Sequence, residues 1–112
     1  MSLVVEQQAF LLDVCRLVAF ATKQGFVVTG GELFRTPEQQ EIYLKTGRSK
    51  TMNSLHLKRC AIDLNFFKDG KLVYDTTVLG PVGAYWESLS KKNSWGGNWK
   101  SFKDVPHFER RV

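Results

Sequence analysis

With 112 residues, 43% of them hydrophobic and 24% charged, the chain can bury a core of its own, which excludes both an intrinsically disordered protein and a miniature that depends on staples. Two cysteines, Cys15 and Cys60, are too few for a disulfide scaffold and are not spaced as a metal-binding pair, so they read as buried free thiols. A net charge of +5 favours polyanions, either nucleic acid or an anionic bacterial envelope, without choosing between them.

The first residues, Met-Ser-Leu-Val-Val-Glu, lack a basic n-region and a cleavage pattern. The apolar run from Val14 to Ala21 is broken by Arg16 and is too short to span a bilayer. The expectation is a protein made in a cytoplasm, with no transmembrane segment and no export signal of its own.

Residues 3 to 24 carry a helical stripe of Phe10, Val14, Leu17 and Ala21, widened by Leu11 and Val18, and Gly25 is placed to stop it. Phe26-Val27-Val28 reads as a short strand closed by Thr29-Gly30-Gly31, and Glu32-Leu33-Phe34 as a second extended segment. Thr36 then has the features of an N-cap. Pro37 suits the first helical position and Gln39 completes a capping box, so a second helix runs to about Lys45 and ends at Thr46-Gly47. Arg35 lies at the junction between extended chain and helix cap, where a guanidinium can be held for an anion or can simply be a surface group.

Residues 47 to 54 are polar and basic without periodicity, which predicts a surface loop. From Arg59 to Phe67, Cys60, Ile62, Leu64 and Phe66 alternate with Ala61, Asp63 and Asn65, so Asp63 points away from the apolar face of a strand. Asp69-Gly70 signals a tight hairpin, with Leu72-Val73-Tyr74 as the return strand. A third helix is predicted from Pro81 to about Lys91, on a stripe of Val82, Tyr85, Trp86 and Leu89. An aromatic, glycine-rich loop follows at Trp95 to Trp99, then an extended segment at Asp104 to Glu109. No internal repeat or linker interrupts residues 1–112, which read as one domain.

The chain has only two histidines, His56 and His107, and each lies a short distance from acidic residues. His56, Asp63 and His107 offer two imidazoles and a carboxylate, a donor set that suits Zn²⁺ with a fourth position open for water. Singly, either histidine also fits a structural or exposed role. Hydrolysis at such a centre needs a further carboxylate that is not a ligand, to move the proton. Asp104, three residues before His107, and Glu109, two residues after it, both qualify.

The pattern Ser54-x-His56-x6-Asp63, followed by Trp95-Gly96-Gly97-x-Trp99 and Asp104-x-x-His107-x-Glu109, resembles the VanY-type metallopeptidases. Arg35-Thr36-x3-Gln40 is similar to that family's upstream Arg-Thr motif, and the resemblance runs over residues 26 to 109 with the motifs in order. The family comprises D-alanyl-D-alanine carboxypeptidases and, among phages, L-alanyl-D-glutamate endopeptidases that act as endolysins. The resemblance implies His56, Asp63 and His107 as zinc ligands and Asp104 as general base and acid. It implies Arg35 as the group that steadies the developing oxyanion or a substrate carboxylate. Ser54 and Glu109 fall at positions that support the ligands or touch substrate. Trp95 and Trp99 would shape the cleft wall, with core packing as the alternative for either. Two positions depart from the pattern: Arg59 stands where many members have glycine, and Asp104 where a glutamate is usual.

The expectation is therefore an α+β fold like that of the hedgehog and D-Ala-D-Ala peptidases, with helices packed on a small, mainly antiparallel sheet. Its activity would be zinc-dependent hydrolysis of a peptidoglycan stem peptide, at the L-alanyl-D-glutamate bond, by a monomer with no nucleic-acid partner. As a phage-type lysin it would reach the wall once a holin opens the membrane. The alternatives are a D,D-carboxypeptidase or dipeptidase on the same scaffold, and, from another class, a non-catalytic basic wall-binding module.

Overall fold

Phe10, Val14, Leu17 and Ala21 are all buried, and they hold helix α1 (Leu3–Lys23) against the rest of the molecule in the computed structural model, which describes residues 2–112. Val18 packs beside them, but Leu11 is 55% exposed and does not widen the stripe as expected. Gly25, at φ +92°, turns the chain out of the helix, and the Phe26 amide closes the turn on the Ala21 carbonyl. Cys60 is buried as predicted, whereas Cys15 lies on the exposed side of α1.

Five antiparallel strands form the sheet: β1 (Val27–Gly30), β2 (Ala61–Lys68), β3 (Lys71–Val73), β4 (Asn93–Trp95) and β5 (His107–Arg110). β2 is the axis. β1 takes one of its edges, β3 and β5 share the other, and β4 extends the sheet beyond β5. The β2–β3 hairpin turns on Asp69 and Gly70, both at positive φ, as a tight primed turn requires. The extended segment expected at Glu32 to Phe34 is not one of the five strands. Gly31 and Glu32 each exchange one backbone bond with Asp63, after which Arg35 turns away to bond the His56 carbonyl.

Helix α2 (Pro37–Lys45) starts where the sequence places it, with Thr36 Oγ1 accepting from the Gln39 amide at 3.1 Å. Helix α3 (Gly80–Leu89) buries Val82 and Trp86, and with α1 it covers the apolar face of the sheet. Phe10, Trp86, Phe108 and Phe66 stack edge-to-face through this core with centroids 5.7 to 5.9 Å apart. Below the core, buried Glu6 of α1 accepts from Lys92 at 2.7 Å and from Arg110 of β5 at 3.0 Å, so its charge is matched. Among the described residues, no helix is long and apolar enough to cross a membrane.

Trp95 belongs to this core and not to a cleft wall, which corrects the sequence expectation. Its ring is 1% exposed, lies nearly parallel to Phe108, and donates from Nε1 to the Val105 carbonyl at 2.8 Å. Trp95 itself ends strand β4, the expected loop beginning only after it as a 3₁₀ turn at Gly96–Asn98, and α3 approaches so closely that a Cβ on Gly83 would lie 2.0 Å from the indole.

Candidate metal centre

The pairing of β2 with β5 sets Asp63 directly opposite His107, on the sheet face turned away from the core. His56 reaches the same point from a 3₁₀ turn, Leu55–Lys58, that precedes β2. Ser54 caps this turn, its Oγ accepting from the His56 amide at 3.3 Å. Arg59 ends the turn at φ +54°, a left-handed conformation in which glycine is strain-free. That accounts for the glycine of related patterns at this position. The Arg59 guanidinium lies 4.2 Å over the Phe34 ring, outside the cleft lining.

The ligand atoms of His56, Asp63 and His107 all lie within 4.8 Å of one another. His56 Nε2 is 3.5 Å and His107 Nδ1 3.6 Å from Asp63 Oδ1. Both distances are long for hydrogen bonds, and Oδ1 is a buried oxygen without a hydrogen-bond partner. Donor bonds near 2 Å in a tetrahedron place ligand atoms about 3.3 Å apart, so these three atoms fit a zinc ion with little adjustment. An orphaned carboxylate oxygen between two imidazole nitrogens is otherwise a costly arrangement.

Both imidazoles are oriented by their other nitrogen. His56 Nδ1 donates to the Leu33 carbonyl at 3.0 Å, an acceptor that fixes the proton on Nδ1 and leaves Nε2 facing Asp63. His107 Nε2 meets Glu109 Oε1 at 2.7 Å, and Arg111 donates to the second Glu109 oxygen at 2.9 Å. Burial pushes His107 down, but the Asp63 and Glu109 carboxylates outweigh it and raise its pKa to about 9. Burial likewise raises Asp63, and the two imidazoles facing it reverse that, holding its carboxyl well below the usual range.

Of the two candidate non-ligand carboxylates, Glu109 is 8% exposed and committed to His107 and Arg111. Asp104 is half-exposed on the cleft, with Oδ2 at 4.0 Å from His107 Nδ1 and no side-chain hydrogen bond among the described residues. Desolvation by the cleft walls pushes its pKa up, against the pull of His107. A turn in which the His107 amide bonds the Asp104 carbonyl puts it there, and the Asp104 amide is tied to the Gly96 carbonyl. The expected strand thus begins only at His107, and Asp104 lies before it.

Arg35 also lines the cleft. Its Nε donates to Glu32 at 2.6 Å, Nη2 is ion-paired with the same carboxylate, and Nη1 reaches Gln40 at 2.7 Å and Ser54 at 3.4 Å. Trp99 lines the cleft with its ring 5.0 Å from that of His107, held by a bond from Nε1 to Ser94. The cleft, about 470 Å³, thus brings together Arg35, Ser54, His56, Asp63, Trp99, Asp104, His107 and Glu109, and leaves out Trp95. Sequence reasoning missed Glu32. Its one local signal is the three-residue spacing to Arg35, a spacing too common among surface pairs to stand out.

The sequence profile of the D-alanyl-D-alanine carboxypeptidases matches residues 47–110. The chain is 34% identical over 96 residues to the L-alanyl-D-glutamate peptidase of Listeria phage A118, covering 84% of this chain and 34% of that protein. It is 33% identical over 110 residues to the peptidoglycan L-alanyl-D-glutamate endopeptidase CwlK of Bacillus subtilis (strain 168), covering 83% and 66%. It therefore spans about a third of the first relative and just under two thirds of the second. In fold it is similar to the crystal structure of the Serratia marcescens L-Ala D-Glu endopeptidase ChiX, with a TM-score of 0.69, 24% identity, and coverage of 88% of this chain and 77% of that one. With more than half of its length matched by the profile, and the candidate ligands Asp63 and His107 of strands β2 and β5 inside the match, this chain belongs to the D-alanyl-D-alanine carboxypeptidase family.

Proposed function

We propose that residues 1–112 form one catalytic domain, a zinc-dependent peptidase of peptidoglycan that cleaves the stem peptide at the L-alanyl-D-glutamate bond. The observation that carries it is the convergence of three donor atoms within 4.8 Å beside an uncommitted carboxylate, in a cleft large enough for a peptide. The names of the relatives from Listeria phage A118 and Bacillus subtilis supply the bond.

His56 Nε2, Asp63 Oδ1 and His107 Nδ1 would hold the ion. Zinc, when bound, supplies Lewis acidity that lets water attack at neutral pH and polarises a carbonyl oxygen. Asp104 takes the proton from the attacking water and returns it to the departing amine, a task suited to a carboxyl whose pKa is raised. Arg35, held by Glu32, Gln40 and Ser54, presents a fixed positive charge where negative charge develops on the substrate. His107 keeps Nδ1 towards the ion because Glu109 holds Nε2. Trp99 stacks by His107 as the wall of the cleft.

Delivery to the wall after a holin opens the membrane, and action as a monomer, are part of the same proposal; the likeness to a phage peptidase supports the first of these. The test is zinc-loaded protein with purified peptidoglycan, followed by identification of the new termini. New amino-terminal D-glutamate supports the assignment. The family's own description favours one other reading, a D,D-carboxypeptidase, and release of terminal D-alanine would establish that instead. Salt-sensitive wall binding with no released peptide would point to a non-catalytic module.

A further inference from the structure

The cleft contains more positive charge than the proposed chemistry uses. Among its acidic groups, Asp63 faces two imidazoles, Glu109 is matched to His107 and Arg111, and Glu32 to Arg35. Arg48 and Lys50 also line the cleft, yet among the described residues neither is paired with a carboxylate. Each lies against a ring instead: the Arg48 guanidinium carbon is 5.7 Å from the Tyr43 centroid, and Lys50 Nζ is 5.1 Å from that of Phe102. A ring steadies a cation without cancelling its charge.

The loop that carries them is anchored from beneath. Gln40 is fully buried, and its Nε2 donates to Ser49 Oγ at 2.8 Å and to the Thr51 carbonyl at 2.6 Å, the residues on either side of Lys50. The amides of Arg48 and Ser49 both bond the Tyr43 carbonyl. Because Gln40 Oε1 also accepts from Arg35, one buried amide sets the loop relative to the guanidinium deeper in the cleft. Phe102 comes from the other side, on the segment leading to β5, at φ +53°, a conformation a phenylalanine keeps only when its surroundings require it.

Resting on the peptidase reading above, we propose that Arg48 and Lys50 form a carboxylate subsite that reads the free carboxyl group of the D-glutamyl residue. A glutamyl residue brings two carboxyl groups, and the chain continuing from it uses at most one. The other must enter the cleft as an anion, beside Asp63 and Asp104. Two uncommitted cations at the mouth offset that repulsion, and their multiple N–H donors suit a carboxylate. Amidation of that carboxyl removes the charge and changes little else, so the subsite would distinguish amidated from free stems.

The test uses two N-acetylated tripeptides, L-alanyl-γ-D-glutamyl-L-lysine and its counterpart with the glutamyl α-carboxylate amidated. Calorimetric titration into the zinc-loaded Asp104→Asn chain, with turnover suppressed, should show the free carboxylate bound about tenfold more tightly, a preference that shrinks with salt. Adding Arg48→Gln and Lys50→Gln should abolish the preference while leaving affinity for the amidated peptide unchanged. A preference that survives the double substitution, or an equal loss for both peptides, overturns the subsite. Cleavage by the chain with Asp104 intact separates the two readings. Preferential binding without cleavage of either peptide supports the subsite and counts against the peptidase, whereas equal binding and equal cleavage of both overturns the subsite and leaves the peptidase standing.

Discussion

His107 Nε2 lies 2.7 Å from Glu109 Oε1, two residues further along the same strand and on the same face. The bond turns the imidazole so that Nδ1 points at Asp63, and it explains why a glutamate follows the histidine at this spacing. Glu109→Ala should therefore weaken zinc binding by about 10- to 100-fold without unfolding the chain. Competition with a chromogenic chelator measures this, and unchanged affinity would show that the pair does not orient the ligand.

Asp104 and Asp63 are 41 residues apart in sequence and share one cleft, but they should fail differently. Asp104→Asn is expected to keep the metal and lose about 10²- to 10⁴-fold in turnover, the range for a general acid–base group. Asp63→Ala should lose both. Metal content and peptide release, measured on the same preparations, distinguish the two. Normal turnover in Asp104→Asn would return the role to another carboxylate.

Stability of the metal-free protein should depend on pH in a defined way. The folded pKa of His107, about 9, is above its ordinary 6.5, so its contribution is complete below pH 6.5 and is lost as pH rises through 9. Glu109 and Asp63 are shifted down, so theirs is complete above about pH 4.5 and is lost as pH falls. Urea midpoints in the presence of a chelator should thus peak between about pH 4.5 and 6.5. The alkaline loss should reach at most about 3 kcal/mol, shared with the two carboxylates. Zinc should displace a proton from His107 at neutral pH, visible as a buffer-dependent heat of binding. A heat independent of the buffer would mean the imidazole is already neutral.

Gly96 leaves no room for a side chain, since a Cβ there would lie 2.1 Å from the Asp104 carbonyl oxygen and 3.1 Å from His107 Cβ. Gly96→Ala should push the Asp104 turn away from the metal centre. Expected consequences are a loss of roughly 1–3 kcal/mol in stability and at least a tenfold fall in turnover in the protein that remains folded. Thermal melts and rates per folded molecule separate the two effects.

Arg59→Gly exchanges a strained left-handed residue for an unstrained one and removes the contact with Phe34. The two effects oppose each other, so stability should change by less than about 1 kcal/mol, with zinc affinity and turnover unaffected. A large loss of activity would show that the guanidinium reaches substrate from outside the cleft lining.

The local pattern by itself determined much of this protein. Helical spacing placed α1 to within a residue, the Thr36-x-x-Gln39 spacing placed the start of α2, and Asp69-Gly70 placed the hairpin, because each depends on neighbours in the chain. Two-residue alternation put Asp63 on the face away from Leu64 and Phe66. The motifs named a candidate ligand set, whose three donor atoms converge within 4.8 Å, and the family profile bears out the relationship they implied. Tertiary structure decided what pairing across the chain controls. The β2–β5 register set Asp63 opposite His107, and the same pairing carried Glu109 into the buried layer where it serves the histidine and left Asp104 free on the cleft. Packing of α3 on β4 drew Trp95 into the core while Trp99, four residues on, stayed at the wall. Glu32 became the partner of Arg35 only because the segment after β1 bonds to Asp63 and then to His56. Periodicity tells which face a residue occupies, but which residue lies opposite is a matter of register, and register is fixed by the whole sheet and its core.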